Sequence, residues 1–170
     1  MSTRTLLPAV LTLLLLTSCA KEIALTQGQN ECVPITQLGL NHKQMAVVKA
    51  ALLTRIDQRR MTYNSNRFCA YRASTVTGNA QMLKIFQPNI SHVSQTWILL
   101  TNRRAIDTKL NEYHMVSDSA STNRLIKSSV HALVDVDQAT RDELQRMLIQ
   151  EARFYQKRGV LLGTQKPPSK

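Results

Sequence analysis

The sequence predicts an α+β fold: a small antiparallel sheet over about residues 67–101, flanked by an N-terminal helix and a helical C-terminal half. An all-α bundle is the alternative. Three observations lead there. Apolar residues recur every three or four positions in 42–61 and again after residue 137, the period of a helix with one buried face. Between them, β-branched and aromatic residues fall in short runs separated by turn residues. The chain has 170 residues, 43% of them hydrophobic, which suits one core of ordinary apolar content.

Asn41 can cap the first helix, whose buried face is Met45, Val48, Leu52 and Ile56, widened by Val47 and Ala51. Lys43, Arg55, Arg59 and Arg60 make that helix basic, most densely at its C-terminus, where cations meet the helix dipole. Tyr63-Asn64-Ser65-Asn66 reads as a turn. A strand follows in 67–77 with Phe68, Tyr71, Thr75 and Val76, then a hairpin turn at Gly78-Asn79 and a second strand from Met82 to Phe86. Gln87-Pro88-Asn89 ends it. Residues 95–101 form an apolar run of strand length; periodicity does not separate strand from buried helix there, and strand is preferred.

Residues 103–115 read as a helix burying Ile106, Leu110 and Tyr113, and 117–123 as a loop rich in capping residues. A helix with Ile126, Val130 and Leu133 on one face runs to about Val134, and Asp135 to Asp137 breaks it. The last helix is the clearest. Asp137 can cap it, and Leu144, Met147, Leu148 and Tyr155 line its buried stripe. Arg146, Arg153 and Lys157 fall opposite, Asp142 can pair with Arg146, and Gly159 is expected to stop it. Gln165 to Lys170, with Pro167-Pro168, reads as a free tail.

The N-terminus carries a different kind of signal. Arg4 precedes an apolar stretch from Leu6 to Leu16, far short of the ~20 residues that span a bilayer and close to the ~7–15 of a secretory signal. It ends in Leu16-Thr17-Ser18-Cys19, which resembles the lipobox of bacterial lipoproteins. The resemblance covers about the first twenty residues and concerns processing, not activity. It implies that residues 1–18 are a signal peptide removed before Cys19, and that Cys19 receives a diacylglycerol on its thiol and an acyl chain on the new amine. Three chains hold a protein at a membrane firmly, since two lipid signals already suffice. Ala20, in place of an aspartate after the cysteine, implies outer-membrane delivery with the domain facing the periplasm. Residues 19–31 then read as a lipidated tether, 32–160 as a single globular domain and 161–170 as a disordered tail.

With Cys19 assigned to lipid, Cys32 and Cys69 remain, and two thiols in an exported chain favour a disulfide. The loop closed is about 37 residues, worth roughly 3–4 kcal/mol in chain entropy. Two separate buried thiols are the competing reading. A metal site has little support, because no CxxC pair and no nearby histidine accompany them.

Catalytic spacing is scarce. His42, His92, His114 and His131 are dispersed, and GxSxG, Walker and GxGxxG patterns do not occur. Asp135 with Asp137, and Asp142 with Glu143, sit where helix capping and dipole complementation account for them. Glu112 and Glu151 are lone acids. Glu151 projects onto the apolar face of the last helix, seven residues before Arg158, which predicts a structural ion pair or an interface contact. No catalytic residue, metal ligand or cofactor is assigned.

Charge points to the partner class. There are 22 Lys+Arg against 11 Asp+Glu, a formal +11; losing Arg4 with the signal leaves 21 against 11, or +10. Arg59-Arg60, Arg103-Arg104 and Lys157-Arg158 are dispersed pairs rather than one stripe. At a cell envelope such charge favours acidic proteins, anionic glycans or lipid surfaces over nucleic acid. Arg146, Arg153 and Lys157 are the candidate partner contacts. The expected function is a lipid-anchored, non-catalytic envelope protein that binds another protein. An accessory subunit of a secretion or conjugation machine, or an immunity or exclusion lipoprotein, would fit. A peptidoglycan-binding or peptidoglycan-hydrolysing lipoprotein is the alternative.

Overall fold

Two strands rich in apolar residues, β3 (Ala80–Phe86) and β4 (Thr96–Thr101), form the centre of the sheet. All six residues of β4 are buried, the pattern of a strand covered on both faces. The computed structural model describes residues 33–57, 68–86, 95–117 and 119–162. The signal segment, the tether, Cys32, the turn at 63–66 and the tail from 163 lie outside the described residues, as do the side chains of 55–57 and 158–162.

Around the central pair, β1 (Val33–Pro34), β2 (Cys69–Ser74) and β5 (Ala105–Asp107) complete a five-stranded antiparallel meander in sequence order. A proline is tolerated in β1 because that strand lies at the sheet edge. Alternation of side chains along the strands builds two cores. Leu83, Ile85, Ile98 and Leu100 pack under α1 (His42–Asp57) with Val48, Ala51 and Leu52. Met82, Trp97 and Leu99 face α2 (Glu112–Val116), α3 (Ala120–His131) and α4 (Gln138–Leu162), where they meet Leu110, Ile126, Val130, Leu144 and Leu148. The α+β fold therefore stands, as three layers with an antiparallel sheet in the middle, and the all-α alternative falls.

Local chemistry fixes the helix starts. Asn41 Oδ1 accepts from the Gln44 amide and Gln44 Oε1 from the Asn41 amide, both at 2.9 Å, a reciprocal capping box. Gln44 Nε2 also donates to the Thr101 carbonyl at 2.8 Å, so the start of α1 is tied to the end of β4. The β2–β3 hairpin closes through Thr75, whose amide donates to the Ala80 carbonyl at 2.9 Å, with Gly78 at φ 71° in the turn.

Four expectations need correction. Residues 103–115 are not one helix. The Thr101 amide donates to the Arg104 carbonyl at 2.9 Å, and Ala105–Asp107 returns to pair with Ile98–Leu100. The backbone groups on the free side of β4 require partners, and ladder pairing supplies them where an isolated helix would not. Ile106 is thus a half-buried strand residue, Leu110 is buried as expected, and Tyr113 is 76% exposed. Second, α3 begins at Ala120 because Ser119 Oγ accepts from the Thr122 amide at 3.2 Å, and it ends at His131, before Val134. Third, α4 continues through Gly159 to Leu162; a glycine weakens a helix by about 1 kcal/mol without having to end it. Fourth, Asp142 Oδ1 accepts from Gln138 Nε2 at 2.7 Å, and no Asp142–Arg146 ion pair forms among the described residues.

Candidate functional site

The last helix carries most of the chemistry, and one buried charge fixes where it lies. Lys84 sits in the middle of β3, paired across the ladder with Tyr71 on one side and Trp97 on the other. It is 3% exposed. Its Nζ donates to Tyr155 Oη, which donates in turn to Gln95 Oε1 at 2.7 Å. Glu151 Oε1 lies 4.0 Å from the same Nζ. Glu151 and Tyr155 are four residues apart, so both project from one face of α4 onto the sheet.

Aromatic rings enclose the amine. Its distance to the ring centroid is 4.8 Å for Tyr155 and 5.9 Å for both Phe86 and Trp97, within the range of cation–π attraction. Tyr155 meets Trp97 edge-on at 5.6 Å. Burial pushes the Lys84 amine down to about 8, while the charges of Glu151 and then Glu112 pull it back towards its ordinary value. An amine so enclosed serves to position α4 on the sheet. Glu151 therefore forms an ion pair with Lys84, while the side chain of Arg158 lies outside the described residues. The sequence reading passed over Lys84, although a lone lysine in Met82-Leu83-Lys84-Ile85-Phe86 was the available signal.

The start of α4 is anchored separately. Asp137 Oδ1 accepts from the Thr140 amide at 2.7 Å, and this bond holds its carboxyl below the usual carboxylate range. Arg141 Nη1 donates to the carbonyls of Leu133 at 3.0 Å and Val136 at 2.7 Å, closing the corner between α3 and α4. Its Nε and Nη2 donate to Gln138 Oε1 at 3.2 and 3.0 Å. Next to this corner the two helices leave a groove of about 600 Å³. Arg124, Lys127 and His131 line it from α3; Gln138, Arg141, Asp142 and Gln145 line it from α4.

Arg146, Arg153 and Lys157 are exposed on the outer face of α4, as expected, but none of them lines that groove. Arg153 borders a smaller cavity of about 290 Å³ with Ser119, Thr122 and Gln156. The sequence reading overlooked Arg124 and Lys127, which extend the cationic face onto α3. Cys69 is buried on β2, whereas Cys19 and Cys32 lie outside the described residues. His42, His114 and His131 stand on three different helices, and His92 lies outside the described residues.

The acids hold scaffold positions. Asp135 Oδ2 accepts from Thr101 Oγ1 at 2.6 Å, with Arg104 Nε 4.0 Å from its other oxygen. Glu143 Oε1 accepts from the Val76 amide at 2.9 Å. Among the described residues, no group of three His, Cys, Asp or Glu is arranged to hold a metal ion, and no helix is long and apolar enough to cross a membrane. Comparison with known proteins gives no matching family model, no similar curated protein and no similar solved structure.

Proposed function

We propose that this is a lipid-anchored, non-catalytic envelope protein that binds another protein through the outer face of α3 and α4. The observation that carries the reading is the set of exposed cations on that face: Arg124 and Lys127 on α3, with Arg146, Arg153 and Lys157 on α4. Its surface potential would steer an acidic partner, and restriction to a membrane would raise the effective concentration of the pair. The Leu16-Thr17-Ser18-Cys19 segment supports lipidation at Cys19, and Ala20 supports outer-membrane delivery with the domain facing the periplasm. The pairing of Pro34, two residues after Cys32 in sequence, with Cys69 across the β1–β2 ladder supports a Cys32–Cys69 bridge that would join the end of the tether to β2.

Two experiments test this. Cys19→Ser should abolish metabolic lipid labelling and membrane retention; persistence of both would overturn the anchor. Photo-crosslinkers placed at Lys127, Arg146 and Arg153 in cells should yield protein adducts of defined mass. If none of these sites gives one, while purified sacculi retain the protein, the peptidoglycan alternative replaces the protein-binding reading.

A further inference from the structure

The cations on the outer face differ in what surrounds them. Arg146 and Lys157 stand on an exposed helix surface, but Arg124, Lys127 and His131 line one wall of a groove. Their spacing of three and four residues keeps them on one side of α3. At 1.5 Å per residue the row is about 10 Å long, the reach of about three residues of extended peptide. The α3 segment, Ala120–His131, contains no Asp or Glu to offset them.

The opposite wall is of another character. Gln145 offers an amide group that both donates and accepts, Gln138 is already engaged with Asp142 and Arg141, and Asp142, one of whose oxygens accepts from Gln138, lines the groove with a carboxylate. Arg141 adds positive potential, with most of its N–H groups already given to the Leu133 and Val136 carbonyls and to Gln138. Val130, on the α3 wall, is buried in the core and reaches the groove only at its edge.

We infer that the α3–α4 groove is a receptor site for an acidic protein segment bearing an apolar side chain. The inference rests on the protein-binding reading above and gives it a location and a partner chemistry. The basic row meets the segment's carboxylates, the aliphatic stems of Arg124 and Lys127 meet its apolar side chain, and Gln145 and the second oxygen of Asp142 meet its backbone amides. Asp142 is what selects a peptide over a phosphate-rich lipid or glycan. A carboxylate in the groove repels a dense anion, but it accepts hydrogen bonds from peptide N–H groups.

The test uses the full-length protein in detergent and a fluorescein-labelled 12-residue peptide of Glu, Asp and Leu, followed by anisotropy. Saturable binding is expected. It should weaken about tenfold or more in Arg124→Glu/Lys127→Glu and stay within about twofold in Lys43→Glu/Lys49→Glu, two exposed cations of α1 on the other side of the sheet, with circular dichroism unchanged in both. Equal losses in the two variants would overturn the inference in favour of diffuse surface charge. Failure to bind the peptide, together with binding to phosphatidylglycerol vesicles, would overturn it in favour of a lipid surface. The in-cell crosslinks separate the two levels. Adducts from Arg146 and Arg153 but not Lys127 would sink the groove and leave the protein-binding reading standing. No adduct from any site would sink the reading itself.

Discussion

Replacing Lys84 by methionine probes how α4 is held. The fall of its amine from 10.5 to about 8 means that the fold disfavours the charged lysine by roughly 3 kcal/mol, even with Glu151 beside it. Methionine removes that cost and fills similar volume. It also takes away the amine that lies 4.0 Å from the carboxylate of Glu151, which is 1% exposed. Breaking one partner of a buried pair typically costs about 3–5 kcal/mol, whereas exchanging both for apolar residues is neutral or stabilising by about 1–4 kcal/mol. Lys84→Met alone should therefore destabilise, and Lys84→Met/Glu151→Leu should recover most or all of the loss. Urea denaturation of the detergent-solubilised protein measures both. The pH dependence supplies a second readout. Between about pH 8 and 10.5 the unfolded chain keeps a proton on Lys84 that the folded chain gives up, so this group makes stability rise with pH across that window. The double variant should lack that rise. If its loss instead equals the sum of the two single losses, the two residues are not coupled and the reasoning fails.

Gln44→Ala should cost about 1–3 kcal/mol, since it removes both the capping box and the buried bond to the Thr101 carbonyl; thermal unfolding reads it, and an unchanged Tm would contradict the role. The lowered carboxyl of Asp137 contributes stability that is complete above its unfolded value and lost as pH falls through its folded value. Asp137→Ala should flatten the acid side of the stability–pH curve, and an identical acid limb in the variant would argue against the cap. Leu148→Ala should cost about 2–5 kcal/mol by denaturant titration, because the side chain is fully buried under α4.

Much of the scaffold was legible in the residues. The 3.6 period of Val48 and Leu52, the Gly78 turn and the Asp137 cap announced their elements locally, whereas the apolar run at 95–101 fitted strand or buried helix and became a strand by pairing with β3 and β5. Ala105–Asp107 did not, because its strand state comes from pairing with Ile98–Leu100 and not from its own sequence. Lys84 was passed over for a related reason. A lysine in an apolar strand becomes a positioning centre only where Glu151 and Tyr155 arrive above it.

The cationic site divides along the same line. Arg146, Arg153 and Lys157 could be assigned to an outer face from helical period alone. That Arg124 and Lys127 share a groove with Gln138 and Asp142 depends on how two helices pack at a corner closed by Arg141. By itself the sequence favoured the α+β class over an all-α bundle and carried the helical and strand periods, the positive charge and the resemblance at Cys19, all of which are local or additive properties. Only the tertiary structure decided the five-strand register, the burial of Lys84 against Glu151 and the groove between α3 and α4. Each of these needs groups tens of residues apart to meet, and the contacts formed there, not local preference, set their energy.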